Sequence, residues 1–93
     1  METTVTENPE RHRYEIYVDG ELAGFTMFTL DGDVAIMPHT KIDPEYKGQG
    51  LATTLIAAAL DDLRERKITV VARCPFVREF VEKHPEYQDI VKS

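Results

Sequence analysis

Two closely spaced glycines, Gly48 and Gly50, follow Lys47 and immediately precede a stretch with helical periodicity. Glycine permits backbone conformations and close approaches that a side chain would prevent. The free N–H groups and the positive end of the dipole at a helix N-terminus attract phosphate. The stretch therefore indicates either a phosphate-binding turn or a tight structural connection into the helix.

Two familiar nucleotide motifs do not fit this stretch. A Walker loop would need Lys and then Ser or Thr after its second glycine, and the dinucleotide fingerprint would need a third glycine where Thr53 stands. ATP and NAD are therefore poor candidates. A pyrophosphate carried by another cofactor remains compatible with the turn.

Two further residues could carry chemistry, Cys74 and His39. Because Pro75 suits the first position of a helix, we expect Cys74 at the N-cap, where the helix N–H groups and dipole favour a thiolate. His39 is expected near the same sheet edge, so that a base and a nucleophile, or a base and an acid, face one cleft. Each residue also has a structural interpretation: a buried cysteine that ends a strand, and a histidine hydrogen-bonded within the sheet.

The elements that position these residues begin with a predicted antiparallel meander. Three strand-like runs over residues 12–42 are separated by Asp19-Gly20 and Asp31-Gly32, which suit two-residue hairpins with positive φ at both central positions. Pro38 can donate no hydrogen bond to a sheet, so we expect an interruption just before His39.

A helix is predicted from Gly50 to about Arg66 by apolar residues at every fourth position. The apolar run 67–74 predicts a fourth strand, parallel to the third through a right-handed crossover. A second helix follows from Pro75 to about His84, with Pro85 after it. Phenylalanines are expected in the core: Phe25, Phe28, Phe76 and Phe80.

The composition limits the class of protein. Ninety-three residues with 42% hydrophobic content predict one globular domain over 12–93, preceded by a flexible polar leader over 1–11. The net charge of -6 makes nucleic acid an unfavourable partner and mildly favours a basic acceptor. We expect a cytoplasmic protein, because neither a signal core nor an apolar run of membrane length is present, and no metal site, because there is one cysteine and no paired histidines.

The stretch "DPEYKGQGLATTLI" resembles the acyl-CoA pyrophosphate motif of the GNAT superfamily of N-acetyltransferases, with Lys47 where the family has Arg or Gln. Together with "HTKI" and "CPFVREFVEKHPEY", it resembles a branch of very small single-domain GNAT-like proteins over roughly Tyr14 to Val91. The resemblance implies an α/β fold: a minimal GNAT-like arrangement of a three-strand antiparallel meander, a helix, a parallel fourth strand and a C-terminal helix.

The resemblance also implies acetyl-CoA as the co-substrate and a cofactor site. The pyrophosphate would lie on Lys47, Gly48, Gln49, Gly50, Leu51, Ala52 and Thr53. The pantetheine arm would bond to backbone near Thr40 and Ile42, which directs the thioester toward His39 and Cys74.

The implied activity is N-acetyl transfer to an unidentified small-molecule or peptide amine. The alternative is a non-catalytic acyl-CoA-binding module, because no carboxylate base is clearly placed and acceptor-enclosing segments of larger relatives are missing. The matching cysteine of the small branch is regarded as a catalytic candidate. Whether Cys74 is a nucleophile, an acid or structural stays open, as does the oligomeric state.

Overall fold

The computed structural model describes residues 2–46, 48 and 50–92. Eight strands and two helices are assigned in this part of the chain: β1 Thr3–Asn8, β2 Arg13–Val18, β3 Glu21–Met27, β4 Thr29–Asp31, β5 Val34–Met37, β6 Thr40–Ile42, α1 Leu51–Glu65, β7 Thr69–Ala72, α2 Pro75–Lys83 and β8 Val91–Lys92. Three short 3-10 helices cover Pro9–Arg11, Pro44–Tyr46 and Pro85–Tyr87.

The strands form two sheets. The first sheet has the order β1-β2-β3-β6 and is antiparallel throughout. The second has the order β4-β5-β7-β8, in which β7 runs parallel to both β5 and β8. The predicted α/β class, the antiparallel strands and the parallel strand after α1 are confirmed.

The simple three-strand meander needs a correction, because its second and third strands each divide between the two sheets. Phe28 separates β3 from β4, and its buried ring fills the core while its N–H bonds to the His12 carbonyl at 2.8 Å. Pro38 and His39 separate β5 from β6. The interruption expected at Pro38 is thus present, and it moves the chain from one sheet to the other.

The two hairpin predictions differ in outcome. Asp19 and Gly20 both have positive φ, 50° and 86°, as the first turn requires. In the second hairpin Asp31 pairs with Val34, so the two loop residues are Gly32 and Asp33, and of these only Gly32 has positive φ, 64°. The second turn is therefore shifted by one residue from its predicted position.

The predicted flexible leader over 1–11 is wrong for β1, which pairs with the whole length of β2. Its end is fixed by reciprocal 2.8 Å bonds between Glu2 and Asp19. The strand was missed because it is a largely polar edge strand in which only Val5 and Asn8 are partly buried.

The helices cover the core as predicted, with one exception. The apolar face of α1 is buried through residues that include Leu55, Ala59 and Leu63. In α2, Phe80 is buried, whereas Phe76 is 48% exposed and does not belong to the core. Phe25 is only partly buried, so two of the four phenylalanines assigned to the core lie outside it.

Candidate acyl-CoA site

A cleft of about 590 Å³ lies between β6, the glycine turn and the first turns of both helices. We refer to it as the β6 cleft. Its lining contains Thr40, Lys41, Ile42, Pro44, Tyr46, Gly48, Gly50, Leu51, Ala52, Thr53 and Phe76. Seven of the predicted cofactor-binding residues therefore share one cavity: Thr40, Ile42, Gly48, Gly50, Leu51, Ala52 and Thr53. Lys47 and Gln49 lie outside the described residues.

The glycine turn opens the start of α1 toward the cleft. Gly50 is the N-cap, with φ of 74°, and supplies no side chain to cap the helix. The first intrahelical bond runs from the Thr54 N–H to the Gly50 carbonyl at 3.2 Å. The N–H groups of residues 51–53 precede that bond and have no carbonyl within the helix to reach. Because the first turn also contains no acidic residue, an anion fits there.

The edge of β6 provides a second set of backbone groups. On the β3 side, the His39 carbonyl accepts from Met27 at 2.8 Å and the Asp43 N–H donates to Ala23 at 2.7 Å. Since alternate residues of a strand direct their backbone groups to opposite edges, those of Thr40 and Ile42 point away from β3. Within the described chain β6 is an edge strand, so these groups have no strand partner.

Gly24 allows β6 to lie close to β3. A Cβ at this position would stand 2.5 Å from both the Lys41 carbonyl oxygen and the Ile42 Cδ1. A side chain there would push the strand outward, so Gly24 helps to fix the wall of the cleft.

Cys74 occupies the predicted N-cap of α2, and its carbonyl accepts from the N–H groups of Val77 and Arg78, both at 3.1 Å. Its thiol does not cap the helix. The buried Sγ instead donates to Thr40 Oγ1 at 3.3 Å, and Thr40 Oγ1 lies 2.8 Å from Thr26 Oγ1. Cys74 thus reaches the β6 cleft through Thr40 rather than by lining it.

His39 is placed differently from the other predicted site residues. It is exposed, and its ring meets the edge of Phe25 with 6.1 Å between centroids. It does not line the β6 cleft, and no hydrogen bond joins it to Cys74 within the described chain. The structure therefore does not bring the two proposed catalytic residues into contact.

Two aromatic residues join the cleft wall. Tyr46 donates its hydroxyl to Glu21 Oε2 at 3.0 Å, and this bond raises the pKa of Tyr46. Phe76 was missed as a site residue because it continues the apolar stripe of Phe80 at a spacing of four residues. The sequence signal for the exposure of Phe76 is its position in the first turn of α2.

A separate polar cluster, the carboxylate network, lies on the opposite face of the first sheet. Buried Glu15 accepts from Arg13 at 2.6 Å, from the Tyr17 hydroxyl at 2.8 Å and from Asn8 at 3.4 Å. Burial alone raises the pKa of Glu15, but these hydrogen bonds outweigh it and hold the pKa below its usual value. Its oxygens are occupied, which suits a structural role.

Metal-ligating clusters and membrane-spanning helices are both absent from the described residues. No group of three or more His, Cys, Asp or Glu side chains there is arranged to hold a metal ion. No helix in the same part of the chain is long and apolar enough to span a membrane.

A known protein family matches most of the chain. Residues 13–90 match the family model described as GCN5-related N-acetyl-transferase. The chain belongs to the GCN5-related N-acetyltransferase family. This confirms the resemblance to the GNAT superfamily, whose co-substrate is acetyl-CoA.

A curated relative comes from Bacillus subtilis (strain 168), where it carries the provisional name ribosomal protein bS18-alanine N-acetyltransferase. It is 38% identical over 60 residues, which cover 64% of this chain and 40% of the relative. The chain thus spans less than half the length of that family member.

Two solved structures are similar. A GCN5-like protein from Staphylococcus aureus gives a TM-score of 0.74 at 22% identity and covers 97% of this chain and 88% of its own, which shows a shared fold. The family member YhbS from Escherichia coli, solved in complex with CoA, gives a TM-score of 0.58 at 29% identity, over 64% of this chain and 38% of its own.

Proposed function

We propose that this chain is an acetyl-CoA-dependent N-acetyltransferase that transfers the acetyl group to an amine. The observation that carries the proposal is the β6 cleft, in which an uncapped helix start and the free edge of β6 face one cavity of about 590 Å³. This volume lies in the usual range of small-molecule sites. Because the chain belongs to this family, acetyl-CoA would be the donor of the acetyl group.

The start of α1 would hold the pyrophosphate. The N–H groups of residues 51–53 supply donors, and the helix dipole adds a favourable field. Apart from its neighbours in sequence, an added Cβ at Gly48 or Gly50 would meet no atom of the described residues within 4 Å, which leaves room for an anion beside both glycines. Lys47, their neighbour in sequence, would add one positive charge.

The pantetheine arm would lie along the free edge of β6. The backbone groups of Thr40 and Ile42 would bond to its amides, while Tyr46 and Phe76, which line the same cleft, would supply apolar surface. Thr40 lies at the end of β6 away from the segment that leads to the glycine turn. The thioester is therefore expected near Thr40 and the Cys74 thiol behind it.

The reaction needs a neutral amine, a bound thioester and a proton for the departing sulfur. Cys74 is proposed as the source of the proton for the departing sulfur, because its thiol approaches the cleft at Thr40. His39 is proposed as a base only for an acceptor that approaches from the exposed side of β6. The net charge of -6 favours a basic acceptor, and the name of the Bacillus relative adds N-terminal alanine peptides to the candidates.

The test measures free CoA thiol released from acetyl-CoA in the presence of polyamines, lysine-containing peptides and alanine-terminated peptides. Sustained release that depends on one amine class is expected. Intact-mass measurement of the protein in the same reactions detects an acetyl adduct if Cys74 is a nucleophile and none if it is an acid. Binding of acetyl-CoA without release would support the non-catalytic module, and absence of binding would overturn the site.

A further inference from the structure

Three buried side chains from three different elements form a continuous hydrogen-bonded chain that ends at the β6 cleft. Thr26 of β3, Thr40 of β6 and Cys74 before α2 are 0%, 4% and 2% exposed. Thr40 Oγ1 lies 2.8 Å from Thr26 Oγ1 and accepts from Cys74 Sγ at 3.3 Å. We call this set the hydroxyl–thiol chain. Thr40 is its only member that lines the cleft within the described chain.

The hydrogen bonds of the Thr40 hydroxyl determine whether its proton is available to a ligand in the cleft. A threonine hydroxyl has one proton to donate and two acceptor sites. Cys74 fills one acceptor site of Thr40, and Thr26 fills the other when it is the donor of the pair, for which either direction is compatible with the geometry. The single proton of Thr40 is then free to point into the cleft.

Other donors that line the same cleft are less suited to this position. The Tyr46 hydroxyl donates to Glu21 at 3.0 Å. Lys41 pairs with Phe25, and since successive residues of a strand alternate, its side chain projects from the face opposite Thr40. The cleft thus offers the Thr40 hydroxyl at the end where the thioester is expected.

We propose that Thr40 donates the proton that the departing CoA sulfur takes up, with Cys74 as the positioning residue that resupplies it. This rests on the function proposed above. As the amine nitrogen forms its bond to the acetyl carbon, the carbon–sulfur bond breaks and its electron pair stays on sulfur. Sulfur then takes the proton of Thr40 Oγ1, and Thr40 takes the proton of Cys74 Sγ. The nitrogen loses its extra proton to water, and after CoA leaves, water restores the proton of Cys74 through Thr40.

The test needs no acceptor amine, because the same contact stabilises a bound CoA thiolate. Calorimetry compares CoA with desulfo-CoA, which has hydrogen in place of the thiol, at about pH 9, where part of the CoA thiol is ionised. We expect wild type to bind CoA about tenfold more tightly than desulfo-CoA, as a charge-assisted hydrogen bond would give. Both ligands carry the same phosphates, so contacts with the pyrophosphate contribute equally to the binding of each.

The variants separate Thr40 from Cys74. Thr40→Val should abolish the preference for CoA over desulfo-CoA, whereas Thr40→Ser should keep it. Cys74→Ala should reduce the preference about threefold and Cys74→Ser should restore it, since serine also donates to Thr40. If Thr40→Val does not fold, the two Cys74 variants and Thr40→Ser carry the test.

A full preference for CoA in folded Thr40→Val, or equal binding of the two ligands by wild type, would overturn the role of Thr40 while leaving the cofactor site intact. Binding of neither ligand by wild type would overturn the proposed function itself.

Discussion

Two buried polar clusters lie on opposite faces of the first sheet, and they differ in what they leave free. The carboxylate network around Glu15 is charged, and Arg13, Tyr17 and Asn8 occupy the carboxylate. The hydroxyl–thiol chain is neutral, and its member Thr40 lines the β6 cleft, where its hydroxyl proton is free when Thr26 donates within the Thr26–Thr40 pair. A buried carboxylate in an acetyltransferase invites assignment as a base. A buried polar group that borders a cavity is therefore a better functional candidate than a buried charge whose partners occupy it.

The largest expected effect separates ligand repulsion from backbone strain at the cleft. Gly50→Asp should abolish the rise in melting temperature that CoA produces, because it places a side chain and a negative charge at the start of α1. In wild type, ligand at about 100 times Kd adds about 2.7 kcal/mol, or roughly 10 to 20 °C for a domain of this size.

Gly20→Asp is the matched control for that variant. Gly20 also has positive φ, 86°, with nothing within 4 Å of an added Cβ, and it lies in a hairpin that does not line the cleft. Both variants should lose comparable stability, but Gly20→Asp should keep the full CoA shift. Equal CoA shifts in the two folded variants would contradict the pyrophosphate assignment.

The next effect concerns the other cluster. Glu15→Gln should reduce the free energy of unfolding by about 2 kcal/mol at neutral pH, because hydrogen bonds to a charged group contribute about 1.5 to 3 kcal/mol. CoA affinity should not change, since Glu15 lies on the far face of the sheet. Urea unfolding and calorimetry measure the two quantities, with the exposed Glu10→Gln as control. A loss of CoA affinity without a loss of stability would mean that the carboxylate network contributes to binding rather than to stability.

The same variant has a pH signature. The folded pKa of Glu15 lies below its unfolded value, so folding favours the ionised form. The stability it contributes is fully present above the ordinary glutamate pKa, about 4.3, and is lost as pH falls through the lower folded value. Urea unfolding should therefore show the difference between wild type and Glu15→Gln shrinking in acid. A difference that grows below that range would show the opposite shift.

A smaller effect is expected at Phe76. Phe76→Ala should weaken CoA binding about three- to tenfold with little loss of stability, because the ring is 48% exposed and walls the β6 cleft. Leu30→Ala is the control, since Leu30 is 41% exposed and does not line the cleft. Calorimetry that gave the same Kd for both variants would remove Phe76 from the site.

The smallest effect is expected at Lys47. Its ammonium would add one charge to a phosphate held mainly by backbone donors, and an exposed ion pair contributes about 0.2 to 1 kcal/mol. Lys47→Ala should therefore weaken CoA binding by less than about tenfold, and more strongly at low salt than at high salt. Complete loss of binding in a folded variant would mean that the backbone donors are not the main contact.

Much of the fold was readable in the sequence because local signals were strong. The four-residue spacing in α1 and the prolines that bound α2 predicted both helices, and Pro38 predicted the interruption before β6. The polar strand β1 had no apolar pattern to reveal it. The division at Phe28 arises because β3 and β4 join different sheets. Such pairing depends on tertiary contacts and leaves no local signal in the sequence.

The candidate site could be predicted in part from the sequence for the same reason. The glycine turn and β6 are close in sequence to α1, so one motif located most of the β6 cleft. The contact of Cys74 with Thr40 joins residues 34 positions apart, and no spacing could show it. The exposure of Phe76 and His39 depends on what packs beside them, which periodicity does not report.

A titration of ¹⁵N-labelled protein with CoA, followed by backbone amide shifts, tests the proposed site most directly. We expect the largest changes at Thr40–Ile42, at residues 50–53 and at Phe76, with small changes at Arg13, Glu15 and Tyr17. Saturable changes centred on the face of the carboxylate network, with the start of α1 unaffected, would contradict the proposed site.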